Sequence, residues 1–203
     1  MHFRPGSSII RGALLVLLAG QICGPVTALD GMKDEFRVFT ERVPMQEQGF
    51  VYGYAVVIDN RKFSFLPPGD WIEESNAKER LITFTRRDLK AVLTVGISRT
   101  NINSKMWASK IHEEFPEAKI TADFVCYTAG LEGRAFEFER TSPRNLKLVT
   151  RLAFVPFSGG LIKFQMTTAP EIFRSCHPLF GRVVTSFQVQ DMPADKSSSR
   201  KAQ

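Results

Sequence analysis

The chain has 203 residues, 43% of them apolar and 24% charged, which excludes a wholly disordered polymer and a multi-pass membrane protein. Its 27 Lys and Arg against 21 Asp and Glu give a formal charge of +6. Every acid lies beyond residue 28 while Arg4 and Arg11 precede it, so loss of a leader leaves 25 against 21, or +4, a weak field for steering partners.

Arg4 and Arg11 come before an apolar run at residues 12–20 (GALLVLLAG). A mixed stretch follows and ends in Val26-Thr27-Ala28, small or slim residues where signal peptidase cuts. This three-part layout predicts a secretory signal peptide over residues 1–28, with the mature chain beginning at Leu29. A membrane span needs about 20 apolar residues, and Gln21 and Pro25 interrupt this run early. Cys23 follows Gln21-Ile22 rather than the small residue of a lipoprotein signal. The expected location is therefore the periplasm or the exterior, with no transmembrane span after cleavage. Cys23 leaves with the leader, and the remaining pair, Cys126 and Cys176, is expected to form one disulfide in an oxidising compartment.

Residues 29–60 read as an N-terminal arm with an additional strand. Phe36-Arg37-Val38-Phe39 is the only strand-like part of the arm, and residues 50–58 (FVYGYAVVI) are aromatic and β-branched enough for a full strand. Phe63 and Phe65 alternate with Ser64, and Pro67-Pro68-Gly69-Asp70 closes that strand just before Trp71. Ile82 and Phe84 alternate with threonines. After a turn at Arg87-Asp88, Leu89, Ala91, Leu93, Val95 and Ile97 share one face. Asn103 or Ser104 can cap a helix running to about Glu114, with Trp107, Ile111 and Phe115 as its apolar stripe and Pro116 as its stop.

Four meandering strands are predicted next. Ile120, Ala122, Phe124 and Cys126 share a face of the first, with a turn between Gly130 and Gly133. Phe136 and Phe138 mark the second, and Ser142-Pro143-Arg144-Asn145 turns into residues 146–157. Ser158-Gly159-Gly160 makes a tight hairpin to residues 161–166. A last helix starts near Thr168-Ala169-Pro170-Glu171 and presents Phe173, Cys176, Phe180, Val183, Val184 and Phe187 on one face, with Pro178 expected to kink or divide it. Residues 191–203 read as a disordered tail. Strands, a helix, a strand meander and a helix make an α+β domain, an antiparallel sheet of about six or seven strands with two main helices packed on it.

Phe63-Ser64-Phe65-Leu66-Pro67 with Gly69-Asp70-Trp71, the strand pair before the central helix, and Pro178-Leu179-Phe180-Gly181-Arg182-Val183-Val184-Thr185-Ser186-Phe187 together resemble the PsbP-like superfamily. The resemblance covers about residues 61–190, which sets the expected domain. It implies a binding or accessory protein, and the leader points to a bacterial exported or envelope member. No ion-binding residue is carried over, because His112 and His177 match no family site.

No catalytic motif stands in the chain. Cys176-His177 point about 100° apart on a helix and need ligands from elsewhere to hold a metal. Both cysteines fall on apolar faces, where burial makes a thiol inert. No G-x-S-x-G, P-loop or G-x-G-x-x-G occurs. Glu113-Glu114 and the Glu137/Glu139 pair read as solvated surface, with Lys147 able to pair Glu139 across strands. Arg86, Arg87 and Lys90 cluster at a predicted hairpin and form the candidate anion contact.

The reading is an exported, non-enzymatic accessory or binding protein of the cell envelope, without cofactor or nucleic acid, whose partner is another envelope or secreted protein. Two other classes stand beside it. One is an envelope-associated binder of anionic lipid or polysaccharide, and the other is an enzyme built from scattered residues. A cleft between sheet and helix is one place such a protein could hold a small molecule.

Overall fold

The computed structural model of the chain describes residues 36–45, 49–58, 60–100 and 102–192. The expected leader, its cleavage site and residues 193–203 lie outside the described residues.

Among the described residues eleven strands and two helices follow one another. They are β1 (Phe36–Met45), β2 (Gly49–Ile58), β3 (Arg61–Phe65), β4 (Ile72–Asn76), β5 (Leu81–Arg86), β6 (Ala91–Ser98), α1 (Trp107–Glu114), β7 (Lys119–Thr128), β8 (Leu131–Thr141), β9 (Lys147–Phe157), β10 (Gly160–Thr168), α2 (Phe173–Ser186) and β11 (Gln188–Asp191). One sheet has the order β1-β2-β3-β11 and the other β4-β5-β6-β10-β9-β8-β7, with every pair antiparallel. The α+β class and the seven-stranded antiparallel sheet with two helices are as expected. The four-stranded sheet is additional.

Strand alternation divides the seven-stranded sheet into two faces. On β9, Ala153 and Val155 point to one face, and Leu152 and Phe154 to the other. The first face carries Phe84, Leu93, Val95, Phe164 and Met166, and is covered by Val56, Phe63 and Phe65 of the small sheet and by Cys176, Phe180, Val183 and Val184 of α2. The second face carries Phe136, Phe138, Leu152 and Phe154 beneath Trp107 and Ile111 of α1. Trp107 stacks on Phe154 at 5.6 Å, and its indole N–H donates to the Ile102 carbonyl at 3.1 Å.

Several local expectations hold for their stated reasons. Asn103 caps the turn into α1, its side chain accepting from the Lys105 amide at 3.0 Å. Gly159 turns the β9–β10 hairpin at φ +101°. The β7–β8 turn is centred on Ala129 and Gly130, both at positive φ, one pair earlier than the glycine spacing suggested.

Other expectations are corrected. The arm is a ten-residue strand paired with β2 along its whole length, because Phe36 and Val38 pack against the core. Leu89 lies in the β5–β6 turn rather than in a strand. Pro178 sits inside one continuous α2, whose core face at Cys176, Phe180, Val183 and Val184 holds the helix across the missing N–H. Asp191 ends β11 against β3 instead of opening a tail, and the Met192 amide donates to the Asn60 carbonyl at 2.6 Å.

The expected bond between Cys126 and Cys176 is absent, and both are free thiols. Cys126 is half-buried on the edge strand β7 and Cys176 fully buried on the core face of α2, and their sulfurs are not within bonding reach. Burial pushes the Cys126 thiol up to about 11 and raises the Cys176 thiol as well.

Candidate functional site

The cluster singled out at Arg86, Arg87 and Lys90 surrounds the β5–β6 turn. Arg86 Nε donates to both Asp88 carboxylate oxygens, at 3.1 and 3.3 Å, and Arg86 Nη1 lies 3.8 Å from Asp70. That hydrogen bond holds the Asp88 carboxyl below its ordinary range and raises the Arg86 guanidinium. Arg86 is therefore committed to closing its own turn. Arg87 and Lys90 are exposed beside it, with Lys90 at φ +47°.

Glu137 is not solvated surface. It accepts from Arg151 Nε at 2.7 Å, as the β8–β9 register places these two residues opposite each other. The Arg151 guanidinium lies 5.2, 5.6 and 5.9 Å from the rings of Phe124, Phe173 and Phe180. Lys147 stands opposite Thr141 and not Glu139. His177 is lowered by burial and by Arg151. This cluster fastens α2 to β7, β8 and β9.

A second group of cations was invisible as a motif. Arg61 opens β3, Arg80 ends the β4–β5 turn and Arg99 follows β6. All three line one open cleft of about 310 Å³, together with Asn60, Ser98, Gly159, Asp191 and Met192. Its floor is apolar, made by Ile58, Phe63, Ile97 and Phe157.

The backbone explains why these residues meet. Arg80 takes the left-handed conformation, at φ +52°, and its carbonyl accepts from the Ile97 amide at 3.1 Å, which draws the turn onto the end of β6. β3 and β11 run antiparallel with Arg61 opposite Asp191. The β9–β10 hairpin closes the remaining side.

Arg61 is held from two sides. Its Nε donates to Asp191 Oδ1 at 3.1 Å, and its guanidinium lies 5.4 Å from the Phe157 ring centre. Gly159 leaves it room, since a Cβ at that position would come within 2.6 Å of Arg61 Nη1. The described lining residues thus present three guanidinium groups and one carboxylate. Guanidinium stays protonated at any physiological pH and forms paired hydrogen bonds to oxyanions. Asp191 is paired with Arg61, and Arg80 and Arg99 are engaged within the chain as well, so an anion here would compete with those contacts. Among the described residues no group of three or more His, Cys, Asp or Glu is placed to hold a metal ion.

Away from the cavity, the outer half of the β1–β2 hairpin runs past β3, whose pairing with β2 starts at Tyr54. Phe50 and Tyr52 are exposed there, with Arg42 at 6.0 Å from the Tyr52 ring. Among the described residues no helix is long and apolar enough to cross a membrane.

No family model matches the chain, and no curated protein matches it. Solved structures do. The solution structure of cyanobacterial PsbP from Synechocystis has a TM-score of 0.46 at 13% identity, over 82% of this chain and 98% of that one. LpqN of Mycobacterium tuberculosis, involved in cell envelope biogenesis, has a TM-score of 0.43 at 10% identity, over 75% and 91%. A Pseudomonas aeruginosa protein of unknown function has a TM-score of 0.43 at 10% identity, over 70% and 91%. A PsbP is thus among the structures this chain is similar to, as the sequence resemblance implied. Values this low carry nothing about activity, ligand or partner.

Proposed function

We propose that this chain is an exported binding protein of the cell envelope that works by holding a ligand, without catalysis, and that the arginine-lined cleft is its ligand site. The observation that carries the reading is the convergence of Arg61, Arg80 and Arg99, from three separate parts of the chain, on one cavity over an apolar floor. Export rests on the leader layout of residues 1–28, with the periplasm or the exterior as the destination. The three guanidinium groups suit an anionic ligand that competes with their present partners, which joins the accessory reading to the anion-binding one.

Ligand that binds only the folded state raises the melting temperature. Thermal melts in low salt, with and without millimolar inorganic phosphate, should show an upward shift in wild type that Arg61→Ala loses. An equal shift in both proteins, or none in wild type, overturns the assignment of the cleft. N-terminal sequencing of exported material should begin at Leu29, and a retained Met1 overturns the export half of the reading.

A further inference from the structure

We infer that the outer edge of β4 is a docking site for an extended, basic segment of a partner protein, which adds to the large sheet as a further strand beneath the aromatic residues of the β1–β2 hairpin. This surface is separate from the arginine-lined cleft, and neither reading depends on the other.

Ring contacts trace how the small sheet crosses the large one. Phe63 on β3 lies 5.4 Å from the ring of Phe157, at the end of β9. Two residues on, Phe65 meets Phe84 of β5 at 6.1 Å, and Tyr54, opposite Phe65 on β2, meets the same ring at 5.3 Å. β5 is three strands from β9, so the path leads on toward β4, the outermost strand. Glu73 of β4 stands opposite Phe84, and burial and this carboxylate both push the Tyr54 hydroxyl up. Beyond Tyr54, alternation puts Tyr52 and Phe50 on the same face of β2. These rings are 66% and 67% exposed. The hairpin therefore runs on past β4 as a roof, and nothing among the described residues covers the underside of that roof.

Backbone and charge together select the occupant. Among the described residues β4 pairs with β5 alone, so its other side presents N–H and C=O groups to an incoming strand. Glu73 and Glu74 project from β4 to opposite faces. Among the described residues neither forms an ion pair, and Arg42, 6.0 Å from the Tyr52 ring, is paired with neither. Two carboxylates on so short an edge repel acidic strands and leave a neutral one with charges to desolvate. A strand with two adjacent lysines or arginines brings one cation to each face, opposite each carboxylate. Its β-branched neighbours then bury the rings of Tyr52 and Phe50.

The probe is the capped peptide acetyl-Thr-Val-Lys-Lys-Val-Thr-amide, titrated into the full mature chain in low salt and followed by nuclear magnetic resonance. Saturable amide shifts should fall along residues 72–76 and at Phe50 and Tyr52, and the affinity should drop as salt rises. Glu73→Gln combined with Glu74→Gln should weaken binding about fivefold or more, and Tyr52→Ala about threefold or more. The same peptide with proline in place of valine keeps its charge, loses the strand ladder and should not bind. Equal binding of the proline peptide overturns strand addition. Equal binding of a peptide with glutamate in place of lysine overturns the basic partner, as does unchanged affinity in the double glutamine variant. Unchanged affinity in Tyr52→Ala overturns the aromatic roof. No saturable shift, or shifts confined to Asn60, Ser98 and Gly159, overturns the site. Broadening along β4 that grows with protein concentration before peptide is added assigns the edge to a second copy of the chain and overturns the basic partner. The cleft is tested by phosphate, so none of these outcomes bears on it.

Discussion

Phe187 is the ring on which the two sheets meet, and its removal should be among the costliest single changes in the chain. It is 1% exposed at the end of α2. Its ring centre lies 5.7 Å from Phe65 and 6.0 Å from Phe63, both on β3, and 5.1 Å from Phe164 on β10. Phe187→Ala removes the shared neighbour of three rings that are fixed to paired strands and cannot collapse into the void. Truncation of a buried Phe costs about 3–5 kcal/mol, and poor collapse puts this site in the upper half of that range. At about 2–4 °C per kcal/mol for a chain of this size, the melting temperature should fall by roughly 8–20 °C. Phe187→Leu keeps most of the volume and should cost only about 1–2 kcal/mol. Urea unfolding followed by circular dichroism measures both. A loss below about 1 kcal/mol for the alanine variant would refute the view that this ring joins the sheets.

Three more outcomes follow from named groups. The Trp71 indole N–H is buried without a partner among the described residues, whereas that of Trp107 is bonded to Ile102. Trp71→Phe should therefore be within about 1 kcal/mol of wild type or more stable, while Trp107→Phe should cost about 1–2 kcal/mol, and the reverse order in urea unfolding contradicts the assignment. Burial holds the folded Cys126 thiol at about 11, above the unfolded value of about 8.5, so its contribution is complete below about 8.5 and is lost as pH rises toward about 11. Reduced wild type should lose more stability than Cys126→Ser between about pH 8 and pH 10, and equal losses sink this reading. Asp191 competes with any anion for Arg61, so Asp191→Asn should tighten phosphate binding by about two- to fivefold, measured by calorimetry, and weaker binding would place the anion elsewhere.

Much of the fold was legible because its strands alternate cleanly. Ile82 and Phe84 on β5, and Leu93, Val95 and Ile97 on β6, show period two without interruption and are buried as that pattern requires. The α1 stripe of Trp107 and Ile111 was equally plain. β4 was hidden because it is a mostly exposed edge strand of Ile-Glu-Glu-Ser-Asn, held by its ladder to β5 rather than by an apolar face. β11 was hidden because a four-residue strand with one half-buried Val189 carries no period.

The site was less legible than the fold, for a physical reason. Arg86, Arg87 and Lys90 are neighbours in sequence, which is the pattern a reader sees, yet Arg86 spends its charge on Asp88. Arg61, Arg80 and Arg99 are far apart in sequence and are brought together by the β3–β11 register and by the Arg80–Ile97 hydrogen bond. Register between distant strands is a tertiary property, and no local spacing encodes it. The one local signal was Gly159, read as a turn residue, which also makes room for the Arg61 guanidinium.

The central claim is that the cleft of Arg61, Arg80 and Arg99 binds an anion, and a nuclear magnetic resonance titration with phenyl phosphate tests it most directly. The account predicts saturable amide shifts at Asn60, Ser98 and Gly159 that vanish in Arg61→Ala. It also predicts that the affinity falls as pH drops through about 6, where a phosphate ester loses its second charge. Shifts confined to the β5–β6 turn around Arg87 and Lys90, or no saturable shift at all, would contradict it.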